Sequence, residues 1–131
     1  MTQKSETGNL GEEIATKYLK NKGYLIIERN FRKPWGELDI IAKDKKGALV
    51  FIEVKTLKEG FELKPEDHMT ATKIKKLRRT ASLYAGENQE LIKDSLGWRL
   101  DLVTVSLSNV LPANILTNIE KYCEVRHWEN V

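Results

Sequence analysis

The sequence predicts an α/β fold: a single mixed central β-sheet flanked by helices, with elements in the order α, β, β, β, α, β. Three observations carry that prediction. Two stretches set apolar residues at helical spacing: Leu10, Ile14, Ala15, Tyr18 and Leu19 in the first, and Ile74, Leu77, Ala81 and Tyr84 in the second. Three short β-rich runs parted by turn residues lie between them, and a fourth follows. The length of 131 residues, with 40% hydrophobic and 31% charged residues, suits one self-supporting domain and lies far from the composition of disordered chains. Residues 1–8 read as a flexible polar N-terminus and residues 9–131 as the domain.

The first helix is expected over Asn9 to Lys22, with Asn9 as its cap and Gly23 as its stop. Tyr24 to Glu28 is a first strand, and its apolar run predicts burial on both faces. Lys33, Pro34, Trp35 and Gly36 form a loop. Glu37 to Lys43 and Ala48 to Thr56 are the second and third strands, joined by the turn Asp44 to Gly47 into a hairpin. After a loop from Leu57 to Pro65, the second helix runs from about Thr70 to Tyr84, and Gly86 ends it. Glu87 to Lys93 is weakly helical. Trp98 to Leu107 alternates well enough for a fourth strand, whereas Ile115 to Trp128 has no clear assignment. No internal repeat or linker is present.

One cysteine, Cys123, excludes an internal disulfide and a multi-cysteine zinc site, which favours a cytoplasmic protein. Met1 to Gly8 lacks an apolar signal core, and no stretch approaches a membrane span. The net charge of +3 is too small to imply an anionic partner by itself. Its distribution says more. Lys64, Lys73, Lys75, Lys76, Arg78 and Arg79 face only Glu66 and Asp67 between Lys64 and Ala85. These cations suit a phosphate backbone, and equally the wet face of a helix. Trp35, beside Lys33, suits a base-stacking contact or packing onto the core. His68 and His127 have no metal-like spacing with each other or with Cys123.

Strand side chains repeat every second residue, so Glu53 and Lys55 share a face. With the turn centred on Lys46, the antiparallel register sets Asp39 opposite Glu53, and Glu37 opposite Lys55, all on that face. Opposed Cβ atoms are about 4.5–5.5 Å apart, close enough for two carboxylates to grip one divalent ion. Mg²⁺ would relieve their repulsion, with the Val54 carbonyl as a further ligand. The ammonium of Lys55 can then steady charge on phosphorus or position an attacking water. A one-residue shift in register would separate the two acids. The competing reading is a set of ion pairs on a solvated sheet face.

On the first helix Glu12 falls at the edge of the apolar stripe and can lean over the sheet, while Glu13 falls on the wet side. Asn9 and Glu12 also have the spacing of a capping box, which by itself accounts for a glutamate there.

The ordered run Gly11-Glu12, Tyr18-Leu19, Gly23-Tyr24, Arg29-Asn30, Gly36-Glu37-Leu38-Asp39 and Phe51-Ile52-Glu53-Val54-Lys55 resembles the YraN-like family of small bacterial proteins. That family in turn is similar to the PD-(D/E)XK, restriction-endonuclease-like nucleases, and its helix and hairpin are similar to those of archaeal Holliday-junction resolvases. The resemblance implies a metal-dependent endonuclease acting on DNA, at branched or single-stranded sites, with Mg²⁺ or Mn²⁺ as cofactor. It makes Asp39 and Glu53 metal ligands, Lys55 the catalytic lysine and Glu12 the helical acid. Leu57 departs from the family, where a basic residue commonly stands. Cutting two strands needs two sites, which a homodimer would supply. The alternatives are a non-catalytic nucleic-acid-binding module of a repair, uptake or recombination complex, and a protein-interaction scaffold.

Overall fold

The computed structural model describes residues 6–58 and 69–131. Helix α1 (Glu6–Asn21) leads into strands β1 (Leu25–Lys33), β2 (Gly36–Lys43) and β3 (Leu49–Lys58). Helix α2 (Ala71–Glu87), a 3-10 turn (Gln89–Leu91) and β4 (Trp98–Leu107) follow. A 3-10 turn (Ile115–Thr117), the one-turn helix α3 (Ile119–Tyr122) and β5 (Cys123–Trp128) come last. The five strands form one mixed sheet in the order β1-β2-β3-β4-β5, parallel only between β3 and β4. Parallel neighbours need a crossover, and α2 lies on this one.

The predicted αβββαβ order is therefore present, extended by a fifth strand. Helix α1 covers one face, packing Ile14, Ala15 and Leu19 on Ile40, Ala42, Val50, Ile52, Val103 and Val105. Helix α2 covers the other, packing Ala81, Tyr84 and Ala85 on Ile41, Leu49, Phe51, Leu100 and Leu102. With both faces covered, the middle strands bury successive residues instead of alternate ones. Leu100 to Val105 are all buried, so β4 is a continuous core strand and not the alternating one its sequence suggested.

Several expectations are corrected. Strand β1 lies at the sheet edge, contains no buried residue and leaves Leu25 65% exposed, so its apolar start is not buried on both faces. Asn9 is inside α1, because the helix already runs from Glu6; residues 6–8 thus belong to it. Gly23 does end that helix. At φ +92° it takes the left-handed conformation, and Gly23 N–H and Tyr24 N–H donate to the Lys20 and Leu19 carbonyls. Gly86 does not stop α2, which continues to Glu87 from a Thr70 cap that accepts the Lys73 amide. Leu57 and Lys58 extend β3, and the rest of the expected Leu57 to Pro65 loop, with Lys64, Glu66, Asp67 and His68, lies outside the described residues.

Candidate active site

The β2–β3 turn is built by Asp44, whose Oδ1 accepts the Lys46 and Ala48 amides at 2.9 Å each. This Asx-type turn fixes the register as Lys43↔Leu49, Ala42↔Val50, Ile41↔Phe51 and Ile40↔Ile52, the one centred on Lys46. The backbone ladder runs no further, so Glu37 does not pair with Lys55 across it. Beyond that point Asp39 replaces the ladder with its side chain: its Oδ2 accepts the Val54 N–H at 2.9 Å. A strand residue points its N–H and C=O to the same side, so the Val54 carbonyl faces the same gap.

Asp39 (9% exposed) and Glu53 (side chain 14% exposed) face each other across the gap as a buried carboxyl pair. Two buried carboxyl groups so placed disfavour carrying charge together. Burial, followed by the hydrogen bond and the charge of Asp39, pushes the Glu53 carboxyl from its ordinary value up to about 8; Lys73 pulls it the other way. The pair is thus short of positive charge at its centre, a deficit that either a proton or a metal ion can fill.

Glu12 is 2% exposed and lies on the cleft side of α1. Its burial exceeds what a capping role would need, and Asn9 is no cap. Two features put it there. Gly11 lets the helix touch β3, since a Cβ at this position would collide with the Thr56 side chain. Asn30, on β1, donates its amide N–H₂ to Glu12 Oε1 and Oε2 at 3.1 and 3.3 Å in the orientation its hydrogen bonding requires. Asn30 stands between the pairs Arg29↔Ile40 and Phe31↔Leu38, so it neighbours Asp39 across β1–β2. Its φ of 54° is a conformation that asparagine tolerates better than most residues. Sequence reasoning placed Asn30 in a motif but gave it no role; an asparagine inside a β-rich run was the available signal. Glu13 faces outward and pairs with Arg29 at 2.7 Å.

Glu12, Asp39, Glu53, Val54 and Lys55 all line one cleft of about 860 Å³. Its other bank is α2, which contributes Lys73, Lys76 and Arg79. Spaced three apart, these three share a helix face. Lys75 is exposed outside the lining, and Arg78 donates to the main-chain oxygen of Val131 at 2.7 Å. Only part of the expected basic run therefore faces the site. Lys73 goes furthest, its Nζ reaching Glu53 Oε2 at 3.5 Å. Trp35 stands in the cleft lining at 41% exposure, with its ring 5.8 Å from that of Phe31; it is not packed away into the core.

A second polar cluster sits elsewhere on the sheet. Asp101, His127 and Glu129 place ligand atoms within 4.8 Å of one another and could hold a metal ion. Arg99 already pairs with two of the three, Asp101 and Glu129. Its Nε donates to Asp101 at 3.0 Å, Nη1 to Asp44 at 2.7 Å and Nη2 to Glu129 at 3.5 Å. Asp101 also accepts the Asn130 amide at 2.9 Å and contacts His127 Nε2 at 2.8 Å. Burial alone would raise the Asp101 carboxyl, but the bonds from His127, Asn130 and Arg99 hold it below its ordinary range. We read this knot as a clamp joining the hairpin turn, β4 and β5. His127, which sequence spacing left without a role, is part of it.

Fold and cleft together define a class: a small α/β domain whose central hairpin splays at one end to set paired acids beside lysines. The chain belongs to the uncharacterised protein family UPF0102, which matches residues 11–105, and this is the YraN-like family its motifs resemble. A UPF0102 protein of Clostridium botulinum (strain Loch Maree / Type A3) is 42% identical over 116 residues, 88% of this chain and 91% of that one. One from Caldicellulosiruptor saccharolyticus is 40% identical over 121 residues, 88% of this chain and 97% of that one. Among solved structures, the crystal structure of a repair endonuclease from Pyrococcus abyssi is similar at a TM-score of 0.41 and 15% identity, covering 92% of this chain and 45% of that chain. Likeness at that level carries no chemistry.

Proposed function

We propose that this protein is a divalent-metal-dependent endonuclease that hydrolyses phosphodiester bonds in DNA. The observation that carries the reading is the buried Asp39–Glu53 carboxyl pair, in one cleft with Glu12 and Lys55. The donor set fits a hard cation: two carboxylates, the Val54 carbonyl facing the same gap, and room for water or phosphate oxygens. A bound Mg²⁺ or Mn²⁺ ion would supply charge neutralisation and Lewis-acid activation. Asp39 and Glu53 would hold the cation, and Asn30 keeps Glu12 aimed at the cleft as the third acid. Lys55, two residues beyond Glu53 on β3, offers its ammonium to the charge that develops on the phosphoryl group and orients the attacking water. Lys73, Lys76 and Arg79 contact the DNA backbone, and Trp35 packs against an unpaired base at the cleft mouth. A single cysteine and a DNA substrate would suit a cytoplasmic protein, and a homodimer would bring two such clefts to two strands.

The test is incubation of purified protein with branched, single-stranded and duplex DNA and Mg²⁺ or Mn²⁺, beside Glu53→Ala and Lys55→Ala. Metal-dependent cleavage that both variants lose supports the reading. No cleavage of any substrate, or equal cleavage by the variants, overturns it.

One observation favours a second reading, a non-catalytic DNA-binding module: Glu53 already has an ammonium from Lys73 beside it. Salt-sensitive DNA binding that is indifferent to chelator, with no cleavage, would mark that case.

A further inference from the structure

Lys73 links the two banks of the cleft. It rises from the first turn of α2, a place where a positive charge opposes the helix dipole and where that turn carries no acidic residue. Its Nζ nevertheless reaches across to Glu53 Oε2 at 3.5 Å. The Glu53 side chain is 14% exposed, while that of Lys73 is 37% exposed, so the acid lies in the cleft wall and the lysine approaches it from the solvent side. Lys76 and Arg79 continue the same helix face along the cleft.

We infer that Lys73 is an internal counter-cation that holds the place of the metal and moves to a substrate phosphate when the metal arrives. This rests on the endonuclease reading and adds a coupling to it. A divalent ion seated on Asp39 and Glu53 repels an ammonium 3.5 Å from the same carboxylate, and the four-carbon stem lets that ammonium swing toward the cleft. There, beside Lys76 and Arg79, it strengthens a site for a polyanion. Coupling between two ligands is reciprocal. A phosphate that draws Lys73 off Glu53 therefore improves cation binding by the factor with which the cation improves phosphate binding.

This sets Lys73 apart from an ordinary backbone contact, whose loss weakens DNA binding and leaves cation affinity alone. It also differs from a structural ion pair, whose loss costs stability only. Removal of a competing counter-ion has the opposite sign: the metal binds more tightly.

The experiment compares wild type, Lys73→Gln and Lys76→Gln in two titrations. Calorimetry with Mn²⁺ alone is expected to show Lys73→Gln binding about two- to fivefold more tightly than wild type, the size of one partly exposed ion pair. Lys76→Gln removes equal charge one turn on and is expected to shift less. Fluorescence anisotropy with a labelled branched oligonucleotide is expected to show Lys73→Gln several-fold weaker in Ca²⁺ and nearly unchanged in chelator. Mn²⁺ affinity in Lys73→Gln equal to or weaker than wild type, or a DNA defect of the same size with and without Ca²⁺, overturns the counter-cation. If wild type itself binds no Mn²⁺, the metal site falls, and the endonuclease reading falls with it.

Discussion

Replacing Glu53 with glutamine should abolish most of the alkaline loss of stability in the metal-free protein. The folded state pushes the Glu53 carboxyl up to about 8, against 4.5 in an unperturbed chain. Below pH 4.5 the group is protonated in both states and adds no pH dependence. Between 4.5 and 8 the folded protein keeps a proton that the unfolded chain releases, so stability falls as pH rises, and the loss is complete above 8. One unit corresponds to about 1.4 kcal/mol, which sets a ceiling on the order of 5 kcal/mol. Water entry and relaxation around the ionised pair reduce it, and we expect roughly 2–4 kcal/mol. Glutamine keeps the shape and donates to Asp39 as the protonated acid does, so Glu53→Gln should resemble wild type at pH 5 and exceed it at pH 9 by about that amount. Urea denaturation in chelator at the two pH values is the assay. Parallel pH profiles for the two proteins, or a wild type that gains stability toward pH 9 while the variant does not, would refute the reasoning.

Three more predictions concern the supports of the site. Asp101→Asn should destabilise by roughly 2–4 kcal/mol, because the fully buried acid balances Arg99 and accepts from Asn130; denaturant melts read this, and a change within 0.5 kcal/mol (roughly the scatter of neutral surface substitutions) would remove the clamp. Gly11→Ala should cost about 1–3 kcal/mol through its collision with Thr56, with partial recovery in a Thr56→Ala background; equal losses in the two backgrounds would point elsewhere. Asn30→Gly and Asn30→Ala should lose cleavage activity alike, since both release Glu12, yet alanine should be the less stable by about 1 kcal/mol because only glycine accepts φ 54° without strain. An alanine variant as stable as the glycine variant would contradict the backbone argument.

The hairpin was legible because its determinants are local. The Asp44 to Gly47 turn and the apolar run after it set a register that carries Asp39 toward Glu53 without help from distant residues. Glu12 was half legible: the helical period brought it to the edge of the stripe, but its burial depends on Gly11 touching Thr56 and on Asn30 reaching over from β1. Strand β1 misled because an apolar run reports a capacity for burial, while its place at the sheet edge decides the outcome. Cys123–Trp128 does alternate, with Cys123, Val125 and His127 against Glu124 and Arg126, a pattern whose six residues the preceding irregular stretch obscured. The reach of Lys73 to Glu53 and of His127 to Asp101 are tertiary facts that no spacing along the chain encodes.

Crystals grown with Mn²⁺ would address the shared-cation site itself through the anomalous scattering of the ion. A peak bonded to oxygens of both Asp39 and Glu53 at about 2.0–2.5 Å is the expected result. A map empty at the hairpin, or one whose peak lies instead among Asp101, His127 and Glu129, would contradict it.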